Sequence, residues 1–278
     1  MKAVRFVDAR GAVRIGALDD SRVLDAGPAG PRGFVPTREA WRSLAEPAGP
    51  EYALGQVRIL HPVVPQKILA IGLNYRSHAD ESELDVPADP VVFAKWTSAL
   101  IGPGEDIVVP VEETRPDFEG EVALVLGERV YRATPETARR SIGGISAIHD
   151  VSGRRAQLET PLRQFTLGKS FDTFAPMGPC IASPDSVDLE DIGLRTTVSG
   201  TVMQDARTRD LIFPFETLIA YLSRGLTLEP GDVIATGTPG GVGDSRRPPR
   251  YLEDGDVVEV WVEGVGTLQN SVRREQPG

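Results

Sequence analysis

Two glutamates separated by one residue are the first candidates for chemistry in this chain. Glu119 and Glu121 lead into the apolar run 122–126, and residues two apart on an extended strand project from the same face. Two neighbouring ionised carboxylates repel each other, and a shared proton or a bound cation relieves that repulsion. A third acid, Asp150, ends a second apolar stretch, so three carboxylates could converge as ligands for Mg²⁺ or Mn²⁺. A solvated Glu-x-Glu at the start of a strand is the alternative.

A histidine and a glutamate are spaced for general base chemistry on a predicted helix. His78 and Glu81 are three residues apart and therefore neighbours on the helix surface, where a carboxylate can orient the imidazole and stabilise its protonated form. A solvated acidic face is the alternative, because Asp80 and Glu83 lie on the same segment. Asn74 precedes this helix and is predicted to cap it.

Lysine is scarce in this chain, and two lysines lie in segments that flank the acidic residues. Only four of the 30 basic residues are lysine, and a compact ammonium suits positions where a tunable charge is needed. Lys95 ends a predicted strand, and Lys169 lies in a segment rich in Gly and Pro. Arg154 and Gln157 are three apart on a segment that predicts a short helix or a turn, and they could share a face above the metal.

A glycine-rich segment, 237–243, follows a predicted strand. It is not a P-loop, because no Gly-Lys-Ser/Thr follows and the strand-to-helix context is missing. One interpretation is a cradle for a carboxylate, made of backbone groups and the Thr238 hydroxyl. A tight turn without a ligand is the alternative.

The composition argues against several classes of protein. The 278-residue chain has a formal charge of −10, which disfavours nucleic acid or an anionic membrane as partner. No apolar run approaches the ~18 residues of a membrane span, and no signal-peptide core is visible, so we expect a cytoplasmic protein. The single cysteine, Cys180, excludes an internal disulfide and a Cys-based zinc site, and its apolar neighbours favour a buried structural thiol.

Length and turn-forming residues predict the architecture. The chain is long enough for a small and a large domain with a buried core, and 29 Gly and 23 Pro favour a β-rich body. We expect residues 1–65 to form a small β-containing domain and linker, with strands near 2–7 and 13–18 and a helix over 37–44. We expect residues 66–278 to form the larger domain.

The later part of the chain is predicted to alternate between strands and irregular segments. Residues 194–202 predict a single strand, and the alternation in 257–263 predicts the last strand of the chain. Residues 167–179 predict a stiff loop that presents Lys169.

Six motifs occur in the order seen in the fumarylacetoacetate hydrolase family. They are G-L-N-Y-R-S-H, V-F-A-K, D-F-E-G-E-V-A-L-V-L-G, H-D-V-S-G-R, L-G-K-S-F-D-T-F-A-P-M-G-P and P-G-D-V-I-A-T-G-T-P-G-G-V-G, and they cover about residues 66–270. The chain resembles the shorter members, which include acylpyruvases and 2-hydroxyhepta-2,4-diene-1,7-dioate isomerases. The resemblance implies an α+β, mainly β fold: a mixed β-sandwich roll with short helices, a small N-terminal domain and assembly as a homodimer.

The resemblance also implies roles for individual residues. It makes three residues the ligands of Mg²⁺ or Mn²⁺: Glu119, Glu121 and Asp150. It makes four residues catalytic: the dyad His78 and Glu81, which would activate water on a mobile lid, and Lys169 and Gln157, which would steady an oxyanion. It assigns four more to substrate binding: Lys95, Arg154, Thr238 and Tyr75.

The activity that the resemblance implies is hydrolysis of a C–C bond in an acylpyruvate or other 2,4-diketo acid. Water activated by the dyad would attack the distal carbonyl, and a pyruvate enolate stabilised by the metal would leave. The alternatives are an oxaloacetate-type decarboxylase, or an isomerase of unsaturated 2-hydroxy or 2-oxo dicarboxylates of aromatic degradation. A non-catalytic metal-binding scaffold is a further alternative. The implied partner is a small keto acid, with neither nucleic acid nor membrane.

The chain departs from the family pattern at two places. The family often has D-V-S-A-R-D-W-Q where this chain has D-V-S-G-R-R-A-Q, so Arg155 and Ala156 replace an Asp and a Trp. The usual Asn-Gly before the late strand is Ser199-Gly200 here. Neither change removes a predicted metal ligand, so we expect both to affect the substrate rather than the chemistry.

Overall fold

The computed structural model describes residues 1–159 and 161–276, which form 19 β-strands and six α-helices. The strands are β1 (Lys2–Val7), β2 (Val13–Asp19), β3 (Arg22–Pro28), β4 (Glu51–Ala53), β5 (Arg58–Leu60), β6 (Ile68–Gly72), β7 (Val91–Lys95), β8 (Leu100–Ile101), β9 (Ile107–Val109), β10 (Pro116–Asp117), β11 (Gly120–Leu126), β12 (Ile142–His149), β13 (Ser152–Gly153), β14 (Ala175–Ala182), β15 (Gly193–Val198), β16 (Thr201–Arg207), β17 (Val233–Ala235), β18 (Val257–Val262) and β19 (Gly266–Arg274). The helices are α1 (Arg38–Leu44), α2 (Arg76–Glu81), α3 (Pro135–Arg140), α4 (Arg154–Leu158), α5 (Phe165–Gly168) and α6 (Phe215–Leu222). None of these helices is long and apolar enough to cross a membrane.

Two sheets carry the architecture. Twelve strands form the larger sheet, in the order β4-β3-β2-β1-β14-β12-β11-β17-β6-β7, with β5 paired to β1 and β8 paired to β14. Five strands form the second sheet, in the order β16-β15-β18-β19-β9, and β10 pairs with β13 alone. The prediction of a mainly β, α+β fold with short helices is confirmed.

Strand β11 runs through the core and is buried on both faces. Val122 and Leu124 pack into a cluster that includes Val260 of the second sheet, whereas Ala123 and Val125 pack into a cluster on the opposite face. Burial on both faces explains why the strand is continuously apolar rather than alternating. Each buried Val or Leu contributes about 1.5–3 kcal/mol, so this strand is a firm base for the carboxylates at its start.

The glycine between the two glutamates lies at a close contact between the two sheets. A Cβ placed on Gly120 would collide with the hydroxyl of Thr196 on β15 and would lie 3.2 Å from Cγ1 of Val260 on β18. Only glycine fits this position without a shift of the opposing sheet. The sequence Glu-Gly-Glu therefore combines two ligand candidates with a close contact between the sheets.

The N-terminal segment extends the larger sheet. Strand β1 pairs antiparallel with β14, with Lys2 opposite Ala182. The indole of Trp41 on α1 donates a hydrogen bond of 2.8 Å to the carbonyl of Gly143 on β12. The two strands and the helix predicted in this segment are confirmed, and residues 1–65 share a sheet with the rest of the chain. The division into two domains at residue 65 stays a prediction.

Three local predictions are wrong. Residues 194–202 form a hairpin, not one strand, because Ser199 and Gly200 both adopt positive φ angles (48° and 80°), as a type I′ turn requires. Strand β19 follows the strand that was expected to be last; the buried Asn270 interrupts its apolar pattern and donates to two backbone carbonyls. The expected loop 167–179 contains the end of α5 and the first five of the eight residues of β14.

The cap predicted for α2 is also absent. Tyr75, not Asn74, stands at the N-terminus of the helix and makes no side-chain capping bond. The Asn74 amide instead donates to the Thr236 carbonyl at 2.7 Å and accepts from the Phe213 amide at 2.8 Å. These long-range hydrogen bonds take the place of a local capping bond. They connect the start of α2 to Phe213 and to Thr236, which directly follows β17.

Candidate active site

The three predicted metal ligands meet in the interior. Glu119, Glu121 and Asp150, here called the acidic triad, are all buried, and one carboxylate oxygen of each lies within 4.8 Å of the others. Antiparallel pairing of β11 with β12 places Gly120 opposite His149, and the Asp150 amide donates to the Glu119 carbonyl at 2.8 Å. The register of two neighbouring strand ends therefore brings the carboxylates together, and the alternative of a solvated Glu-x-Glu is wrong.

Three buried cations surround the acidic triad. The Lys169 Nζ lies 2.6 Å from Glu119 Oε2 and 2.7 Å from Asp150 Oδ2. The Lys95 Nζ lies 2.6 Å from Asp150 Oδ1, and Arg154 Nη2 lies 2.5 Å from Glu119 Oε1. These cations come from β7, α4 and the segment after α5, so tertiary folding assembles a charge cluster from distant parts of the chain.

The carboxylates of the triad differ in their electrostatic environment. Burial together with the charges of Asp150 and Glu119 raises the pKa of Glu121 well above its usual range. Burial opposes ionisation of Glu119 as well, but Lys169, Arg154 and His78 outweigh it and hold its pKa far below the usual range. Glu121 forms no ion pair with a lysine or arginine in the described part of the chain, and its Oε2 accepts only from the Gly237 amide at 2.8 Å.

The two lysines also have pKa values that are shifted in opposite directions. Burial lowers the pKa of Lys95 although Asp150 partly restores it. Burial also disfavours the charged form of Lys169, but contacts with both Asp150 and Glu119 leave its pKa raised. An ammonium has three hydrogens, and the two acid contacts of Lys169 use two of them, so one remains for a ligand in the cavity.

The acidic triad has the chemistry of a divalent-metal site. It offers three carboxylates, which suit hard cations such as Mg²⁺ and Mn²⁺. A divalent cation there would relieve the repulsion at Glu121, the one member of the triad that forms no ion pair with a lysine or arginine within residues 1–159 and 161–276. The residues present therefore fit a bound divalent cation.

A fourth buried carboxylate, which sequence reasoning missed, organises the surroundings. Asp117 accepts from Arg154 Nε at 2.9 Å, from the Gly243 amide at 2.7 Å and from the Asp244 amide at 3.0 Å. Burial raises its pKa, and Arg154 only partly offsets this. Asp117 lies two residues before Glu119, so the alternation that singled out Glu119 and Glu121 contained the signal for a third acid.

The predicted dyad is formed on α2. The His78 Nδ1 lies 2.8 Å from Glu81 Oε1, and Glu81 Oε2 accepts from the Gly241 amide at 2.6 Å. An ionised carboxylate can only accept, so Nδ1 carries the hydrogen and Nε2 is left as the basic nitrogen. The side chains of this dyad are mostly buried, with His78 exposed by 12% and Glu81 by 21%, so the alternative of a solvated acidic face is wrong for these two residues.

The glycine-rich segment binds the protein's own side chains. Its amides donate to Glu121 from Gly237, to Ser77 from Gly240, to Glu81 from Gly241 and to Asp117 from Gly243. The Thr238 hydroxyl donates to the Gly120 carbonyl at 2.9 Å and accepts from Gln204 at 2.7 Å. The segment is therefore a cradle for internal carboxylates that links α2 to the acidic triad. Donation from Thr238 to a substrate would require it to leave Gly120.

A cavity of about 530 Å³ opens above the triad. Eight predicted site residues line it: His78, Glu81, Glu119, Glu121, Arg154, Gln157, Lys169 and Thr238. The Gln157 Oε1 accepts from Arg154 at 3.0 Å, so its amide nitrogen is the group that can donate to a ligand. Phe93 and Phe165 supply apolar wall, and the Lys169 Nζ lies 5.0 Å from the centre of the Phe93 ring.

Three predicted site residues are not among those that line the cavity. Asp150 and Lys95 have fully buried side chains that pair with each other, and Lys95 also donates to the carbonyls of Val151 and Lys169. Tyr75 is buried, its hydroxyl has no hydrogen-bond partner among the residues that the structure describes, and burial raises its pKa. Substrate contact by Lys95 and Tyr75 stays a prediction, since neither is among the residues that line the cavity.

The departures from the family pattern lie away from the cavity. Arg155 is exposed on α4 and donates to the Glu112 carbonyl, and the Ala156 amide donates to Glu113. Ser199 and Gly200 form the hairpin turn between β15 and β16. None of these four residues lines the cavity, so no direct contact supports the expectation that they affect the substrate.

The geometry and the sequence point to one family. The model of the fumarylacetoacetate (FAA) hydrolase C-terminal domain matches residues 67–273, most of the chain and all of the residues described above as the site. The chain belongs to the fumarylacetoacetate hydrolase family. Members of this family are enzymes, and the acidic triad that the family implies is present here.

Known proteins similar to this chain are named for different activities. The human mitochondrial oxaloacetate tautomerase FAHD2A is 39% identical over 219 residues, which span 78% of this chain and 70% of that protein. The 2-hydroxyhepta-2,4-diene-1,7-dioate isomerase from Mycobacterium marinum is 33% identical, with a TM-score of 0.81 over all of both chains. The fumarylacetoacetate hydrolase from Exiguobacterium antarcticum is 36% identical, with a TM-score of 0.86 over 99% of this chain and 100% of that one. The predicted family fold is thereby confirmed.

Proposed function

We propose that this enzyme is a metal-dependent isomerase that moves a proton on a 2-oxo or 2-hydroxy dicarboxylate. The observation that carries the proposal is that the His78 imidazole lines the same cavity as Glu119 and Glu121 of the buried acidic triad, together with the cationic and amide donors Lys169 and Gln157. That set is sufficient for removing a proton beside a keto group and returning it elsewhere. Similar proteins named as an oxaloacetate tautomerase and a dienedioate isomerase support it, because both reactions are proton transfers of this kind.

The roles of the chain's own residues follow from the contacts. His78 Nε2 takes the proton from the carbon next to the 2-oxo group, and Glu81 stabilises the imidazolium that results. The third hydrogen of Lys169 and the amide of Gln157 are donors for the oxygen that becomes negative. His78 then returns the proton to the oxygen or to a more distant carbon, so no atoms are gained or lost.

The acidic triad would hold Mg²⁺ or Mn²⁺. When bound, such a cation supplies Lewis acidity that makes the proton beside the keto group more acidic. Arg154 keeps Glu119 ionised and in place for this role through its 2.5 Å contact.

Hydrolysis of a C–C bond in an acylpyruvate is the second candidate. The His78–Glu81 dyad favours it, because the same basic nitrogen can deprotonate a water molecule that attacks a distal carbonyl. The similar structure named fumarylacetoacetate hydrolase supports this candidate. Decarboxylation of oxaloacetate would need the cation and Lys169 but no base of this kind.

Parallel assays separate these reactions. The enzyme would be supplied with Mg²⁺ or Mn²⁺, or with EDTA, and offered oxaloacetate, 2-hydroxyhepta-2,4-diene-1,7-dioate and acetylpyruvate. We expect chelator-sensitive loss of the enol absorbance of oxaloacetate or the dienedioate, with a fall of roughly 10²–10⁴-fold for His78→Ala, the usual contribution of a general base. Asp80→Asn, on the same helix but exposed, is the matched control and should retain activity.

Three other outcomes would change the assignment. Faster release of pyruvate and acetate from acetylpyruvate than any isomerisation would make the enzyme a hydrolase. Carbon dioxide release from oxaloacetate that survives His78→Ala would make it a decarboxylase. Failure to turn over all three compounds with metal present would favour a non-catalytic metal-binding protein.

A further inference from the structure

Two arginines at the open end of the cavity take no part in the reaction described above. Arg163 lies between α4 and α5, and Arg247 lies in the segment between β17 and β18. Both line the cavity that contains Glu119 and Glu121, yet both are exposed, whereas the two glutamates are at most 4% exposed. These two arginines therefore lie at the solvent end of the cavity, here called the cavity mouth, and the acidic triad lies at its inner end.

The charges of these arginines are not neutralised by the protein. Arg163 has no ion pair or hydrogen bond with any residue that the structure describes. Arg247 donates from Nη1 to the carbonyls of Asp244, Ser245 and Arg246 at 3.0–3.4 Å, but it contacts no carboxylate in the same described set. Arg154, deeper in the cavity, is by contrast paired with both Asp117 and Glu119.

The acids near the mouth do not cancel these charges. Asp244 lines the cavity but lies 2.5 Å from Arg115 and accepts from the Tyr251 hydroxyl, so its charge is already satisfied. Glu83 is an exposed acid that also lines the cavity, and it forms no ion pair with either arginine in the described part of the chain, so at most one acid stands against two guanidinium groups. In a chain with a formal charge of −10, an uncompensated pair of guanidinium groups on one cavity is a local attraction for an anion.

We propose that Arg163 and Arg247 form a subsite for a second, distal carboxylate of the substrate. The inference rests on the proposed function, which places the 2-oxo acid end of the substrate at the acidic triad. Guanidinium groups bind carboxylates through two parallel N–H bonds, which makes arginine the suitable residue for this task. The apolar wall formed by Phe93, Phe165 and Leu84 suits the carbon chain that joins the two ends. The enzyme then selects dicarboxylic over monocarboxylic 2-oxo acids, and the mouth determines the chain length.

The test compares two substrates that differ only at the far end. 2-Oxohexanedioate and 2-oxohexanoate have the same chain length, and exchange of the C3 hydrogens for deuterium can be followed for both by proton NMR with Mg²⁺ and with a no-enzyme blank. We expect wild-type kcat/KM to favour the dicarboxylate. In Arg163→Met/Arg247→Met this preference should fall roughly 10- to 100-fold, mainly through KM, as expected for the loss of hydrogen bonds to a charged group.

A neighbouring arginine provides the matched control. Arg155 is exposed on α4, does not line the cavity and pairs with Glu159, so Arg155→Met removes one charge without touching the proposed subsite. Arg155→Met should keep the preference for the dicarboxylate. Folding of all variants is checked by their thermal unfolding midpoints.

The outcomes separate the two proposals. Metal-dependent exchange on both substrates with equal kcat/KM would overturn the subsite and leave the proposed function standing. A preference for the dicarboxylate that survives the double variant would also overturn it. Absence of metal-dependent exchange on either substrate would remove the proposed function, and the subsite would fall with it.

Discussion

The inner and outer ends of the cavity are built in different ways. The acidic triad lies on adjacent strand ends, is fully buried, and is held by backbone pairing and three cations. Arg163 and Arg247 at the cavity mouth lie on connecting segments, are exposed, and have few or no partners among the described residues. The inner end is therefore preorganised, whereas the mouth has free charge to offer a ligand.

The contrast explains how one family can carry several reactions. A preorganised acidic triad with a nearby base serves any reaction that begins with proton removal beside a keto group. A mouth built on loops can change without disturbing the sheet, so substrate choice is free to vary. In this enzyme we expect the acidic triad at the inner end to determine the class of reaction. We expect the arginines at the cavity mouth to determine which substrate shapes and charges are accepted.

Removing one ligand charge from the inner end should have the largest effect. Glu121→Gln keeps the size of the side chain but removes the carboxylate that forms no ion pair with a lysine or arginine among the described residues. We expect at least ~10³-fold loss of metal-dependent activity, since a bound cation contributes several kcal/mol to stabilising developing charge. Differential scanning fluorimetry should show that Mg²⁺ or Mn²⁺ raises the unfolding midpoint of the wild type but not of this variant.

The matched variant Glu119→Gln distinguishes ligand loss from structural damage. Glu119 is paired with Lys169 and Arg154, so its neutralisation leaves two buried cations with less compensation and should lower the unfolding midpoint without metal. Glu121→Gln should not lower it, because a crowded negative charge is removed. If Mg²⁺ or Mn²⁺ still raises the unfolding midpoint of Glu121→Gln, the cation binds elsewhere. The acidic triad would then not be the metal site.

An intermediate effect is expected from the glycine between the two glutamates. Gly120→Ala should destabilise the fold by ~1–3 kcal/mol, because the added methyl collides with the Thr196 hydroxyl on the opposing sheet. Thr196→Ala removes that hydroxyl, and the double variant should recover most of the free energy of unfolding in urea titrations. Additive losses in the double variant would mean that the sheets are not in close contact at this point.

The acidic triad could be predicted because its signal is local. Alternation along one strand brings Glu119 and Glu121 to one face, and an acid at the end of the next strand adds Asp150. The same rule contained Asp117, which lies buried two residues earlier. The short helices, the strands of the N-terminal part and the family fold were likewise predictable from pattern and motif.

The rest depended on contacts between distant segments. Asn74 was expected to cap α2, but backbone groups 139 and 162 residues away bind its amide instead. Convergence of Lys95 and Lys169 on Asp150 involves separations of 55 and 19 residues, which no local pattern indicates. Arg163 and Arg247 lie in connecting segments, which follow no regular repeat, so no sequence pattern links them. Only the folded structure shows that both line one cavity.

The smallest effect concerns the accessibility of thiols in the core of the larger sheet and at the cavity mouth. Cys180 is the single cysteine and lies buried on β14, beside β12 of the larger sheet. Burial raises the pKa of its thiol to about 12, and only the exposed thiolate reacts with disulfide reagents. At pH 8 we expect no labelling of the folded wild type, whereas the thiol introduced by Arg163→Cys at the mouth should be labelled rapidly. Equal labelling rates for the two thiols would mean that the larger sheet opens locally and is not rigid.

The same thiol makes the free energy of unfolding depend on pH, and the direction of that dependence can be predicted. Its folded pKa of about 12 exceeds the ordinary value of 9.0, so the unfolded chain releases the proton first as the pH rises. The contribution of the protonated thiol to stability is complete below about pH 9 and is lost between pH 9 and 12, at up to ~1.4 kcal/mol per pH unit. Other groups titrate in this range, so the measurement is the difference between wild type and Cys180→Ala in urea unfolding at each pH. If the two free energies of unfolding fall in parallel, Cys180 meets solvent in the folded state, and the larger sheet is not closed to solvent at β14.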